Sequence, residues 1–401
     1  MKIVFVNHYG VTYGETGPTR NFEFAKVFSD MGHDVEFWTC GYNHYTGQYH
    51  QSIKKKITSL TYEHGVKVRR FWSIKYRKSF LLRGLNILVF SILTALYALF
   101  TSRKDYYVVT SPPLTLALLI VCKIKRQSFV LDVEDLWPDF LIELGLKNRL
   151  VITIMRFYER ILYKYSDLIT AVSEGMRKHV LSYEERKDVL LVPLGVHISR
   201  YKNFQENSIQ YEWERNNFIV MYCGAHNPAN SLETLVELAP LLEEYRDIKI
   251  VLVGDGASKS RLKELIGEKG ITNIILEDPV PSHQVPNILS KADICVTLLK
   301  DLPSFRKVRP NKIFEYMAAS KPIICGIKGE ASDIIIESKS GFVVDINNLN
   351  HFKDKILFFY NNRDEIIKAG NNGFKYISEH GDRIKIIQFF ESQLNERLRN
   401  K

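Results

Sequence analysis

Short apolar runs recur along the first half of the chain. Examples lie in KIVFVNHYG, YYVVTSPP and SFVLDVEDLWP, each read as a strand that ends in a loop, and the segment RNFEFAKVFSDMGHDV, which follows the first of them, has its apolar residues at helical spacing. A run that is apolar at nearly every position is typical of a strand buried on both faces, and amphipathic segments between such runs are typical of covering helices. The pattern therefore predicts a parallel sheet with helices on both faces.

The second half repeats this pattern. Six apolar runs separated by amphipathic segments predict a second parallel sheet: NNFIVMYCGA, DIKIVLVGDG, ITNIILEDPV, ADICVTLLK, KPIICGI and SGFVVDI. The polar residues 199–217 predict a linker, and residues 383–399 predict a final amphipathic helix. Two such domains predict a cleft between them, with ligands at the carboxyl ends of the strands.

The positive charge is confined to one half of the chain. Residues 1–200 contain 28 Lys and Arg against 18 Asp and Glu, whereas residues 201–401 contain 27 of each kind, so the first half carries the whole net charge of +10. A basic half indicates an anionic partner, either nucleic acid or a membrane surface. No recognisable nucleic-acid-binding module is present, and an apolar run beside the basic residues favours an anionic membrane.

That apolar run covers residues 84–102, which contain no charged residue and are flanked by Arg83 and Arg103. Its length is close to that of a transmembrane helix. However, basic residues at both ends give no orientation bias, and a span would place strands of one sheet on opposite sides of the membrane. We predict an interfacial or packed helix at the membrane surface, and the alternative is an ordinary core helix with a basic rim.

The cysteines carry information about the compartment. They are scattered through apolar settings without the spacing of a metal site or a redox motif: Cys40, Cys122, Cys223, Cys295 and Cys325. This predicts reduced, buried thiols in a cytoplasmic protein.

Candidate chemistry in the first half follows two strands. Gly17, Thr19 and Arg20 lead from a glycine-rich loop into a helix, an arrangement that lets an acceptor or a phosphate approach the helix N-terminus, although glycines also simply make turns. Glu134 and Asp135 follow the strand SFVLDV and are candidates to orient or partly deprotonate an acceptor hydroxyl. A capped, solvated loop and a divalent-metal site are the alternatives for these carboxylates.

Candidate chemistry in the second half lies at the start of one helix. In KVRPNKIFEYMAASKP, Pro310 and Asn311 begin a helix that places Lys312 and Glu315 on one face. Four cations lie within seven residues at this helix start: Arg306, Lys307, Arg309 and Lys312. Helix N-termini favour anions, so the segment predicts an anion site, with a solvated Lys–Glu pair as the alternative.

Together these stretches resemble a known family. The resemblance lies in their order along nearly the whole chain: GETGPTR, VTSPPLTLAL, FVLDVEDLWPDFLIELG, YSDLITAVSEGM, VPLGVH, IVLVGDG and LPSFRKVRPNKIFEYMAASKPII. The chain is similar to family 4 of the retaining, GT-B-fold glycosyltransferases, and within it to the bacterial capsule and O-antigen branch that includes N-acetylfucosamine transferases. The DLWP and PNKIFEYMAA stretches are the most specific parts.

The resemblance implies a GT-B architecture of two Rossmann-like, doubly wound domains facing across a cleft. It implies an acceptor-binding, membrane-associated domain at 1–200, a nucleotide-sugar domain at 215–380, and a helix at 381–401 that packs back on the first domain. The implied reaction transfers an N-acetylated hexosamine, with retention, from a UDP-linked donor to a lipid-linked saccharide. No metal or cofactor is implied, and the implied location is the inner face of the bacterial inner membrane.

The resemblance also implies residue roles. Glu315 matches the glutamate that holds the two ribose hydroxyls, which suits a carboxylate because it accepts hydrogen bonds from both members of a diol. The helix amides, with Asn311 and Lys312, would face the diphosphate, and Gly224 and Gly254 match the donor loops.

Three departures from the family pattern concern this site. Lys307 stands where a second glutamate is common, Glu134 stands where a histidine is common, and the loop after Gly224 lacks the usual diphosphate-binding arginine. We therefore expect Arg306, Lys307, Arg309 and Lys312 to take over diphosphate binding. Two rival functions remain open: a nucleotide-sugar epimerase of the same fold, and an inactive membrane-bound scaffold, which the Lys307 departure favours.

Overall fold

A computed structural model describes six stretches of the chain: residues 1–53, 56–76, 79–113, 115–183, 189–202 and 211–399. The chain divides into two compact units. The first unit contains Met1–Pro193 together with Ile384–Lys401, and the second contains Leu194–Arg383. Residues 203–210 of the predicted linker lie outside the described residues.

The first unit is built around one eight-stranded sheet in the order β10-β9-β8-β7-β1-β2-β6-β5, with a small β3-β4 ribbon beside it. Its elements are β1 (Lys2–Asn7), α1 (Arg20–Asp30), β2 (Asp34–Cys40), β3 (Tyr42–Asn43), β4 (Gln48–Tyr49), β5 (Thr58–Glu63), β6 (Val66–Phe71), α2 (Phe80–Phe100), β7 (Tyr106–Ser111), α3 (Leu116–Ile124), β8 (Ser128–Val133), α4 (Asp139–Glu143), α5 (Arg149–Tyr165), β9 (Leu168–Ala171), α6 (Glu174–Tyr183) and β10 (Val189–Leu191).

The edge strand β5 departs from the prediction of a parallel sheet. It pairs with β6 in antiparallel fashion, and the two strands are joined by His64 and Gly65. Both joining residues have positive φ, 50° and 83°, which is the backbone of the tight hairpin turns that match strand twist. The other pairings of the described residues in this sheet are parallel, as predicted.

The second unit has a six-stranded parallel sheet in the order β13-β12-β11-β14-β15-β16, and all six predicted strands are present. Its elements, followed by the final helix, are α7 (Ile198–Lys202), β11 (Phe218–Cys223), α8 (Glu233–Leu238), β12 (Ile248–Val253), α9 (Lys259–Glu268), β13 (Ile274–Glu277), α10 (Val285–Ser290), β14 (Ile294–Leu298), α11 (Asn311–Ala318), β15 (Ile323–Gly326), α12 (Glu330–Ser338), β16 (Gly341–Val343), α13 (Leu349–Asn361), α14 (Arg363–His380) and α15 (Arg383–Arg399).

Burial on both faces explains the continuous apolar runs of this sheet. Along β11, Val220 belongs to the core on one face and Met221 to the core on the other, and Ile250 and Val251 of β12 divide in the same way. Successive side chains of a strand point to opposite faces, so a sheet covered twice needs apolar residues at consecutive positions. The confirmed fold class therefore follows from the apolar pattern.

Helix α15 completes the core of the first unit. Ile387, Phe390 and Leu394 are buried in the same cluster as Phe24 and Phe28 of α1. The ring of Phe390 lies 6.0 Å from the rings of both α1 residues. The last helix thus shares its apolar face with the N-terminal sheet and its covering helix.

Helix α2 contains the uncharged run, and it buries polar side chains while several of its large apolar side chains are exposed. Asn86 and Thr94 are completely buried, whereas Leu81 is 79% and Phe100 is 84% exposed. Leu81–Phe100 is long and apolar enough to cross a membrane by length and composition alone, and 33% of its most apolar window is buried. A core helix that is apolar all round is buried on every side, whereas α2 buries Phe90 and Ala98 on one side and leaves Leu88 and Leu96 about half exposed on another.

Polar contacts hold α2 on the first unit. His8 Nε2 lies 2.6 Å from Asn86 Oδ1, and Asn86 Nδ2 donates to the Ile74 carbonyl at 2.5 Å. Burial lowers the pKa of His8 to about 3, so its ring is neutral and donates to the amide oxygen. The inward polar side chains are therefore used to fix the helix in place.

The cysteines are buried and form no disulfide, as predicted. Burial raises the pKa of the thiols of four of them to about 12: Cys40, Cys122, Cys223 and Cys325. Such thiols are inert, so we assign them a packing role.

Candidate functional site

Two glycine loops meet at the carboxyl end of the second sheet. The Gly224 amide donates to the Val253 carbonyl at 2.9 Å, which joins the loop after β11 to the loop after β12. A Cβ on Gly254 would lie 1.9 Å from the Gly224 carbonyl oxygen, and Gly254 has φ of +148°. Only glycine fits there, so Gly254 permits the close approach of the two loops.

Lys312 reaches this junction from the first turn of α11. Its Nζ donates to Tyr222 Oη at 2.6 Å and to Asn230 Oδ1 at 3.1 Å, and it lies 4.1 Å from the centre of the Tyr222 ring. A Cβ on Gly224 would lie 3.3 Å from this ammonium. Among the residues that the structure describes, Lys312 has no carboxylate partner.

Removal from water lowers the pKa of Lys312 to about 7, although the nearby charge of Glu315 opposes the shift. An ammonium in this position is costly without a counterion. A bound anion would supply that counterion and favour the protonated form. The solvated Lys–Glu pair does not describe this lysine, because its ammonium is bonded to Tyr222 and Asn230.

Glu315 lies one helical turn after Lys312, partly exposed. Asn311 Nδ2 donates to Glu315 Oε1 at 2.9 Å, and Asn311 Oδ1 accepts from the Arg383 guanidinium at 3.1 Å. Asn311 thus orients the carboxylate from the start of the helix. The result is a carboxylate and an ammonium on the same side of α11, which is the arrangement that the sequence predicts.

Two of the other predicted cations are neutralised by carboxylates. Arg306 donates to Asp301 at 2.8 and 3.1 Å, and Arg309 Nε donates to Glu330 at 2.6 Å. Lys307 lies in the short helical turn that precedes α11. Of the four predicted cations, it is therefore Lys312 that lies beside the Gly224 and Gly254 loops with its ammonium not paired to a carboxylate of the described residues.

In the first unit, Arg20 is buried and forms ion pairs with two carboxylates. Its guanidinium donates to Asp132 Oδ2 at 2.5 Å and to Glu134 Oε1 at 2.9 Å, and only 6% of its side chain is exposed. Asp132 also accepts from Thr170 Oγ1 at 2.6 Å. In this structure Arg20 fixes Asp132, within β8, and Glu134, directly after it, rather than facing a ligand from the loop.

The neighbouring loop residues are also engaged within the protein. Thr19 Oγ1 donates to Glu23 Oε1 at 2.9 Å. Gly17 has φ of +144°, and a Cβ there would lie 2.9 Å from side-chain atoms of Tyr45 and Val11. Gly17 and Thr19 therefore shape the turn into α1.

Asp135 is the titratable carboxyl of this region. Burial, and then the negative charge of Glu134, raise the pKa of Asp135 to about 7. A carboxyl group with this pKa exists in both protonation states at neutral pH and can accept or donate a proton there. The described residues contain no group of three or more His, Cys, Asp and Glu arranged to hold a metal ion.

Sequence reasoning missed the partners of Lys312. Tyr222 is the fifth residue of β11, and its orientation follows from the alternation along the strand. Asn230 lies in the loop that follows, and no local pattern marks it. The side chains that hold the ammonium come from elements distant in sequence, so only the folded chain reveals them.

Comparison with known proteins agrees with this architecture. Residues 19–200 match the family described as Glycosyltransferase Family 4, and residues 203–376 match the family described as Glycosyl transferases group 1. The chain therefore belongs to the glycosyltransferases, with a family 4 domain followed by a group 1 domain on the two-sheet architecture of the GT-B fold.

Individual relatives are distant. An uncharacterised glycosyltransferase of Methanocaldococcus jannaschii is 25% identical over 39% of this chain and 42% of its own length. The poly(ribitol-phosphate) alpha-N-acetylglucosaminyltransferase of Staphylococcus aureus is 22% identical over 48% of this chain and 37% of its own length. The chain thus spans less than half the length of these two curated relatives.

A solved structure of similar fold is the crystal structure of Anabaena HepE in complex with UDP-glucose. It has a TM-score of 0.71 at 15% identity, and the alignment covers 100% of both chains.

Proposed function

We propose that this glycosyltransferase moves an N-acetylated hexosamine from a UDP-linked donor to a lipid-linked saccharide, with retention of configuration, in bacterial capsule or O-antigen synthesis. The observation that carries the proposal is the enclosed Lys312 ammonium, which has Glu315 one helical turn away at the carboxyl end of a parallel sheet. A cation without a counterion complements a diphosphate, and a nearby carboxylate complements the diol of a ribose.

In this reaction the bond between the anomeric carbon and the diphosphate oxygen breaks as a bond to the acceptor hydroxyl oxygen forms. The leaving diphosphate gains negative charge, which Lys312 and the first amides of α11 stabilise. The acceptor oxygen attacks from the face that the diphosphate leaves, so retention requires no protein nucleophile, and the hydroxyl proton passes to the leaving phosphate. The charge is met by these groups rather than by a metal ion.

In the first domain, Glu134 and Asp135 orient the acceptor hydroxyl in this proposal. Arg20 holds Glu134 in place, and the Asp135 carboxyl has a pKa of about 7, which suits the acceptance of a hydroxyl hydrogen bond and partial removal of the proton. The catalytic contribution of Asp135 is therefore greatest above neutral pH, where it is ionised.

The comparisons support the donor and the acceptor class. The Staphylococcus aureus relative is named as an N-acetylglucosaminyltransferase acting on poly(ribitol-phosphate), and the Anabaena structure contains UDP-glucose. These names favour a UDP-linked donor, an N-acetylated sugar and a cell-surface glycan.

We place the protein peripherally on the inner face of the inner membrane. The outward side chains of α2 are apolar, and all of the net positive charge lies in residues 1–200. Basic residues near an anionic surface contribute about 1 kcal/mol each, and salt weakens this attraction. We expect flotation with anionic liposomes at low salt and release at high salt. No flotation at low salt, or retention through an alkaline carbonate wash, would contradict peripheral binding.

The reaction is tested by a screen of sugar nucleotides, scored by thermal shift and then by turnover with lipid-linked saccharides. We expect one UDP-sugar to be consumed only when an acceptor is present, and the product to have the anomeric configuration of the donor by NMR. Conversion of the donor without an acceptor would identify an epimerase. Failure of every sugar nucleotide to bind would favour the scaffold.

A further inference from the structure

The first and last residues of the second unit are bonded to each other. Segments 194–196 and 381–383 form the two ends of this unit, where the chain passes to and from the first unit, and we call them the crossing segments. The Val196 amide donates to the Gly381 carbonyl at 2.9 Å, and the Arg383 amide donates to the Val196 carbonyl at 3.0 Å. The two passages of the chain are therefore joined at one point.

The Arg383 side chain reinforces this junction. Its Nε donates to the Leu194 carbonyl at 2.9 Å, and its Nη2 donates to the Gly195 carbonyl at 2.5 Å. Together with the backbone bond to Val196, one arginine thus binds three successive carbonyls of the other crossing segment. Arg383 is only 7% exposed, so these bonds are sheltered from water.

The same guanidinium determines which way the Asn311 side-chain amide faces. Nη2 of Arg383 also donates to Asn311 Oδ1 at 3.1 Å, and Asn311 Nδ2 donates to Glu315 Oε1 at 2.9 Å. A guanidinium only donates hydrogen bonds and an ionised carboxylate only accepts them. The amide oxygen must therefore face Arg383 and the amide nitrogen must face Glu315, so Arg383 holds a hydrogen-bond donor on the carboxylate.

We propose that Arg383 is a positioning residue for the ribose contact of Glu315, and that donor binding in turn orders the crossing segments through Asn311. The inference rests on the proposed function, because that function assigns the ribose diol to Glu315. A carboxylate that binds two adjacent hydroxyls needs one fixed orientation, which Asn311 provides while Arg383 faces its oxygen. Coupling between two sites is reciprocal, so a contact that prepares Glu315 for the ribose is strengthened when the ribose binds.

A double-mutant cycle tests the positioning role. Calorimetry measures the affinity for UDP of full chains that carry Arg383→Met, Glu315→Gln or both substitutions. We expect Arg383→Met alone to weaken UDP about five- to tenfold, but to change its affinity less than about twofold when Glu315→Gln is already present, because residues that act through one another are not additive. Additive losses would refute the positioning role.

Two further variants complete the cycle. Arg261→Met removes an arginine of α9 that is 55% exposed, and as the matched control it should leave the affinity for UDP unchanged. Arg383→Lys replaces Arg383→Met in the cycle if the methionine variant does not fold. A single ammonium lacks the planar fork that binds the carbonyls and Asn311 together, so we expect a loss of about threefold or more, again absent beside Glu315→Gln. A loss of the same size beside Glu315→Gln would refute the role.

Hydrogen exchange with and without saturating UDP tests the coupling to the crossing segments. We expect UDP to slow exchange of the Val196 amide about fivefold or more in the unmodified chain, and to leave it unchanged in Glu315→Gln at saturating UDP. Equal slowing in both chains, or no slowing in either, would overturn the coupling. Normal UDP binding with either of these results refutes this inference alone, whereas failure of UDP to bind the unmodified chain would count against the proposed function.

Discussion

The charged residues at the ends of the two sheets differ in whether the protein itself neutralises them. At the end of β8, Arg20 neutralises Asp132 and Glu134 within the protein. At the end of β11, the Lys312 ammonium has a phenol and an amide as hydrogen-bond partners, and its pKa falls to about 7. The first arrangement is complete without a ligand, whereas the second becomes complete when an anion binds. Removal of a charge should therefore harm stability in the first unit and binding in the second.

The largest expected effect is the loss of Arg20. Arg20→Met leaves Asp132 and Glu134 without their buried cation, so the free energy of unfolding should fall by about 3–5 kcal/mol. Urea unfolding of the full chain, followed by tryptophan fluorescence, measures this loss. Arg103→Met, which removes an exposed arginine, is the control and should change stability by less than about 0.5 kcal/mol. A similarly small loss for Arg20→Met would show that the buried pair is dispensable.

Lys312→Met should have the opposite effect: it should weaken ligand binding without lowering stability. Affinity for UDP should fall by about 3 kcal/mol, because a charge-assisted contact to the diphosphate is lost. The unliganded protein should be as stable as before or more stable, since an uncompensated buried charge is replaced by an apolar side chain. Calorimetry with UDP and with uridine, together with thermal unfolding, tests both parts. Equal losses for the two ligands, or a large fall in melting temperature, would contradict a diphosphate role.

Glu315→Gln should affect a different part of the donor. We expect affinity to fall by about 2 kcal/mol for UDP and for uridine alike, because both ligands contain the ribose diol. Calorimetric titrations with UDP and with uridine measure the two affinities. Lys312→Met is the contrasting variant, because it should weaken UDP more than uridine. Unchanged affinity for uridine would remove Glu315 from the ribose site.

The smallest effect concerns pH at the acceptor side. Asp135 must be ionised to accept a hydrogen bond from the acceptor hydroxyl, and its folded-state pKa of about 7 is raised above the ordinary value of 3.8. The rate at low acceptor concentration should therefore rise about tenfold per pH unit below 7 and level off above it. Glu134→Gln removes the neighbouring charge and should move the rise to lower pH. A profile in Asp135→Asn that still rises through pH 7 would exclude this carboxyl.

The apolar pattern predicted the parallel sheets because strands buried on both faces leave continuous apolar runs. Strand β5 was not predicted because it lies at the edge of the sheet. Buried and exposed side chains alternate along a half-exposed edge strand, so it leaves no continuous apolar run. The feature of the sequence that could have indicated β5 is the tight turn at His64 and Gly65. The Lys312–Glu315 face was predictable from helical spacing. The pairing of Arg306 with Asp301 and of Arg309 with Glu330 was not, because a local pattern counts cations but does not reveal which partners the fold brings to them.

The place of α15 also governs the order in which the protein can fold during synthesis. Residues 194–383 form a continuous unit that can fold as soon as it leaves the ribosome, but the first unit needs Ile387, Phe390 and Leu394 to close its core. At typical translation rates the α1 surface of Phe24 and Phe28 stays uncovered for roughly 10–40 s after residue 193 has been made. The domain that is translated first therefore completes its core last.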